Sequence, residues 1–319
     1  MNTAVLKEGD VIGIVAPSCP IIGTDLEENY KRGLVEINKM GFKYNEGKTI
    51  NLKKWHLAGS DEERAADINT MFLDKTIKAI ICAVGGTGAD RILDKLDYET
   101  IQNNPKPFMG ISDPTTLTSA LFQLSNTPTI YGPDVCFGFG GVKSDEQKKW
   151  EFSMIKHILT SEKPLGTIKH LTEWNRIKGG YGKGYLIGGH LGLYNRLKGT
   201  KYFADIKNKP KIFFWETTGK YSNVDRDLQN LIQYGFFENV VGMIIGKFNL
   251  MDKEDEYSDM PPIEKIISEK FIKYTFPIIS GADFGHNTPN IPMPYGKLAS
   301  IDGDKIEFQI LESIYQIAR

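Results

Sequence analysis

The chain has little of what marks the specialised protein classes. Three cysteines occur in 319 residues, Cys19, Cys82 and Cys136. They are odd in number, far apart and form no C-x-x-C. Neither a disulfide framework nor a zinc site is implied, and a reducing cytoplasm is the expected setting. Charge of one sign is lacking too: 39 Lys plus Arg stand against 40 Asp plus Glu, a formal charge of -1. That balance gives no electrostatic reason to expect a nucleic-acid or anionic-membrane partner. No segment stays apolar for the ~18 residues a membrane span needs. The opening MNTAVLKEGDVIGIVAP carries Lys7, Glu8 and Asp10 before a short apolar run, which fits no signal-peptide core. None of the five histidines forms H-x-x-x-H or H-E-x-x-H, so no metal is expected.

What is present is ordinary globular material, 40% apolar and 25% charged. At 319 residues the chain passes the ~250–300 at which single cores stop growing, so two domains are expected. The first half alternates strand and helix: DVIGIVAP, then DLEENYKRGLVEINKMG; KAIICAVGG after DEERAADINTMFLD; PFMGI before TTLTSALFQL. Ser60 with Glu63 three residues on has the capping-box spacing. Fully apolar strands between helices predict a parallel sheet covered on both faces, with ligands at the strands' carboxyl ends. The predicted fold class is α/β: an N-terminal parallel-sheet domain of Rossmann or flavodoxin type over 1–163, then a smaller strand-rich α+β domain over 185–319. The glycine-dense stretch 164–184 reads as a linker or active-site loop.

Several local patterns invite a site. Gly85-Gly86-Thr87-Gly88 follows a strand, but Arg91 stands where G-x-G-x-x-G needs its third glycine, and no P-loop pattern fits. No nucleotide cofactor is expected. A glycine turn can still receive an anion, a transient oxyanion included, on its backbone N–H groups. GGYGKG at 179–184 reads as a connection before a strand, and the DFG at 283–285 lacks the other kinase elements. Ser112 lies on a sharp strand-to-helix turn, FMGISDPTTL, with Pro114 suited to a first helical turn. It is either a helix cap or a nucleophile. Glu216 ends the apolar run KIFFW, and His286 follows the strand PIISGADFG. Together these are the parts of a Ser-His-Glu triad, in the order known from α/β-hydrolases but without G-x-S-x-G.

The chain resembles the LD-carboxypeptidase family of serine peptidases, which includes the microcin C self-immunity proteins. The resemblance runs nearly the whole length and in order: KEGDVIGIVAPS, AGSDEERAADINTMFLDKTIKAIICAVGGTGADRILDKLDY, GISD, YGP at 131–133, LIGGHLGLYNRLKGT, FFWETTG, GMIIGKF and GADFGHNTPNIPMPYG. It implies Ser112 as nucleophile, Glu216 as orienting acid and His286 as base, with an oxyanion hole from the amides of Gly86 and Asp113. It further implies no cofactor, a peptide or peptidyl-nucleotide substrate bound near Gly85, and a homodimer. Val84 replaces the arginine that many wall-recycling members carry before the paired glycines, and a valine cannot meet a carboxylate bidentately. Trp174 is a candidate substrate contact, since immunity proteins stack a loop tryptophan on nucleotide. His190 stands where asparagine is common, and Lys220 where an acid is frequent. Arg91, Lys220 and Lys297 are candidate carboxylate ligands.

Overall fold

The structure is a computed structural model that describes residues 4–247, 249–250, 261–286 and 289–316. Asn287 and Thr288 of the expected proline-rich loop lie outside the described residues. The N-terminal sheet holds β1 (Val11–Val15), β2 (Lys43–Glu46), β3 (Ile77–Cys82), β4 (Phe108–Gly110) and β5 (Thr129–Tyr131), all parallel. Its helices are α1 (Leu26–Lys39), α2 (Asp61–Leu73), α3 (Tyr98–Asn103), α4 (Thr115–Ser125) and α5 (Asp145–Thr160). The inner strands β3 and β4 are apolar and almost wholly buried, because helices cover both faces. Both bonds of the Ser60/Glu63 capping box form, and Ser144 with Gln147 makes a second on α5.

Stretch 164–184, expected as a linker or active-site loop, contributes three segments of strand joined by irregular chain, the last being the start of a longer strand. β6 (Gly166–Thr167) and β7 (Asn175–Lys178) form the two opposite edges of the second sheet, and β8 (Tyr181–His190) runs through its middle. Glycines 182, 184, 188 and 189 belong to β8; neighbouring backbone at the first three, and the Thr115 side chain at Gly189, leave no room for a β-carbon. The remaining strands are β9 (Lys211–Glu216), β11 (Val240–Gly246), β13 (Ile278–Ala282), β15 (Leu298–Asp302) and β16 (Glu307–Ile310), with the short pair β10 (Thr218–Gly219) and β12 (Asn249–Leu250) apart. Strand order is β6-β16-β15-β8-β9-β11-β13-β7. The second sheet has eight strands against six in the first, so this half is strand-rich as expected. Its centre β8-β9-β11-β13 is parallel, crossed over by α6 (Leu191–Arg196), α7 (Tyr221–Gln233) and α8 (Ile263–Lys270). This half is therefore α/β at its core rather than α+β. The hairpin expected around Asp302-Gly303 is present as β15 and β16.

One strand crosses between the sheets. β14 (Met293–Pro294) leaves the C-terminal half and pairs antiparallel with β5, Met293 opposite Tyr131. Among the described residues, no helix is long and apolar enough to cross a membrane.

A buried ion pair joins Lys143 to Glu151 on α5. The other carboxylate oxygen of Glu151 accepts the Asn290 N–H at 2.7 Å, and Lys143 also donates to the Gly138 carbonyl. Turn 135–139, α5 and the segment after His286 are fastened together this way. Lys143→Met should cost about 3–5 kcal/mol in urea unfolding, because it strands a buried carboxylate. Lys143→Met with Glu151→Met should recover much of that loss.

Candidate active site

Ser112 sits where β4 turns into α4, with φ +66°, in the left-handed region that a residue with a β-carbon adopts at a cost. It does not cap the helix. Pro114 occupies the cap position, and no side chain accepts there. Among the described residues the Ser112 hydroxyl has no hydrogen-bond partner; its amide donates to the Tyr131 hydroxyl at 3.3 Å. The turn after β3 packs directly on it. A methyl group at Gly85 would stand 2.9 Å from Ser112 Cβ, and Gly86 has φ +122°. The side chain of Asp113 points into structure, its Oδ2 accepting from Ser18 Oγ at 2.6 Å and from the Ala89 N–H at 2.8 Å. Among the described residues the backbone amides of Gly86 and Asp113 donate to nothing.

Glu216, at the end of β9, is wholly buried, and each of its oxygens has a partner. Oε2 lies 2.7 Å from His286 Nδ1, and Oε1 accepts the Tyr131 hydroxyl at 2.5 Å. Burial pushes this carboxyl up, but the His286 hydrogen bond and charge, with help from His190 and Tyr131, hold it below the usual range. Burial likewise works against a charged His286, yet the hydrogen bond and charge of Glu216, with Asp134 adding to them, raise its pKa. The tie to Nδ1 leaves Nε2 free for chemistry.

His286, Ser112, Gly85, Gly86 and Asp134 line one cleft of about 470 Å3. No hydrogen bond joins the Ser112 hydroxyl to the imidazole, and such contacts often tighten only when substrate arrives. His190 pairs with Glu216 across β8 and β9 and packs edge-on against His286, ring centroids 5.9 Å apart. Its Nε2 meets Thr218 Oγ1 at 3.2 Å, and burial lowers its pKa.

Trp174 is buried rather than facing substrate. It stacks on His170 at 3.8 Å, and its indole N–H donates to Asp283 Oδ2 at 2.9 Å. Asp283 also takes the amides of Leu171 and Thr172 and pairs with Lys247 at 3.3 Å, so this loop is fastened down. Arg91 is engaged by Asp61, and Lys297 donates to the Gln316 carbonyl. Neither lines the cleft, and nor does Lys220. Three residues of this site went unread in the sequence: Tyr131, Asp134 and Asn290, whose Oδ1 accepts the Gly285 N–H at 2.7 Å. The available signal was YGPD, polar groups directly after a buried strand.

By NMR titration, His286 should have a pKa above the ordinary 6.5, and Glu216→Gln should lower it, because burial is then opposed by Asp134 and no longer by Glu216. The raised pKa stabilises the fold fully below the unfolded-state value and is lost as pH rises through the folded one.

Family models of the LD-carboxypeptidase N-terminal and C-terminal domains match residues 12–132 and 183–301. A putative carboxypeptidase of Treponema pallidum is 30% identical, over 99% of this chain and 97% of that one. A probable murein peptide carboxypeptidase of Bacillus subtilis is 28% identical, over 93% and 90%. Among solved structures, the microcin C7 self-immunity protein MccF in complex with aspartyl sulfamoyl adenosine superposes with a TM-score of 0.89 at 25% identity, covering 98% of this chain and 99% of that one. The chain belongs to the LD-carboxypeptidase family of peptidases.

Proposed function

We propose that the protein is a serine carboxypeptidase that hydrolyses an L,D-peptide bond and releases terminal D-Ala from murein tetrapeptide in cell-wall recycling. The observation that carries this reading is the Glu216–His286 hydrogen bond, 2.7 Å, opening on the cleft that holds Ser112 in the left-handed region, its hydroxyl without a partner among the described residues. His286 Nε2 takes the Ser112 proton as Oγ attacks the scissile carbonyl, and Glu216 stabilises the imidazolium that forms. The amides of Gly86 and Asp113 receive the oxyanion. Collapse expels the D-residue as an amine, protonated by His286. Water, deprotonated by the same imidazole, then frees the acyl-serine. We further propose a cytoplasmic homodimer, a setting consistent with three unpaired cysteines.

A second reading, cleavage of the amide bond of aminoacyl or peptidyl nucleotides, draws support from the cleft lining. Val84 is there, and among the described residues no Lys or Arg lines the cleft to meet a terminal carboxylate. Purified protein incubated with muropeptide tetrapeptide and with processed microcin C, followed for D-Ala and free amino acid, separates the two.

Ser112→Ala should lower kcat by about 10⁴-fold or more and abolish fluorophosphonate labelling while the circular dichroism is unchanged. A variant that kept full turnover would end the nucleophile assignment. The base works neutral, so kcat/KM should rise with pH through the raised His286 pKa, its acid limb lying above pH 6.5.

A further inference from the structure

Asp134 brings to the cleft a carboxyl group that takes no direct part in the proposed chemistry, and burial pushes its pKa up. It stands three residues past β5, is 2% exposed, and shares the cleft with Ser112 and His286. Its Oδ1 accepts the N–H groups of Phe137 at 2.7 Å and Gly138 at 3.1 Å. Among the described residues nothing donates to Oδ2, and Asp134 is part of the cleft wall.

The surrounding charges do not balance it. Two cations reach Asp134 electrostatically, His286 and Lys143. Each already has a carboxylate of its own, Glu216 for the imidazole and Glu151 for the ammonium. The rest of the wall is largely apolar, with Leu26, Val84, Ile111 and Phe137. A buried carboxylate without a counter-charge is costly, and a ligand that brings a cation recovers that cost.

We propose that Asp134 is a specificity-determining residue that receives an ammonium group of the substrate, so that the cleft selects peptides with a protonated amine near the scissile bond. The peptidase reading supplies the bond being cut; the ammonium subsite itself is a property of the cleft. An α-ammonium and a lysine-type side-chain ammonium offer the same chemistry, and the arms of the test separate them. Asp134 could alternatively act only on the His286 charge, in which case its removal affects all substrates alike.

The probes are L-lysyl-D-alanine, its Nα-acetyl and Nε-acetyl forms, and the diacetyl form. Binding is measured by calorimetry in full-length protein carrying Ser112→Ala, so that turnover does not intrude. At least one ammonium-bearing probe should bind about tenfold or more tighter than the diacetyl form, the scale of a hydrogen bond to a charged group. The single acetylation that removes this advantage identifies the amine. Adding Asp134→Asn, which can still accept the two amides, should collapse the ratio towards one. Equal or undetectable binding of all four with Asp134 intact overturns the proposal and needs no Asp134 variant. So does an Asp134→Asn protein that keeps the ratio, or one that weakens all four alike. Turnover of the same peptides by the unmodified enzyme reads the peptidase proposal separately: its absence sinks that reading while the binding ratio still reports on the subsite.

Discussion

A fully buried carboxylate at the tip of β9 is the constraint around which the site is organised. Glu216 would be prohibitively costly there if either oxygen lacked a partner. Its two partners come from different places, Tyr131 from the first sheet and His286 from the segment after β13. The same tyrosine hydroxyl accepts the Ser112 amide. One acid therefore fixes the imidazole on one side and, through a phenol, the serine turn on the other.

The histidines divide the electrostatic work. His286 faces Glu216 and gains basicity; His190, a few ångströms away and more deeply enclosed, loses it. Neighbouring rings pushed in opposite directions do not compete for one proton.

Much of the first sheet was legible because its signals are local: apolar strands of four to six residues, helical periodicity, a capping box at Ser60. The turn at Ser112 was legible for the same reason, an apolar strand running into serine and then proline. The sheet edges were not. β6 and β7 are short and half exposed, so their sequences carry neither alternation nor apolar runs, and they became strands through the neighbours they pair with. The glycines of 179–184 suggested mobility, whereas the fold uses them for close approach of backbones. Tyr131 escaped notice because a tyrosine on an apolar strand reads as core. Its hydroxyl acquires meaning through Glu216, 85 positions away, and no local pattern encodes that meeting. Trp174 failed the other way: an aromatic in a loop invited a ligand, while its indole nitrogen had a partner in Asp283.

The path of the chain around His286 constrains how the cleft can be entered. Before it, β13 belongs to the sheet of Glu216; after it, β14 is zipped onto β5 in the sheet of Ser112. The imidazole is the keystone of this span, with an abutment in either lobe. Any swing of the lobes as rigid halves would drag the ring off its acid.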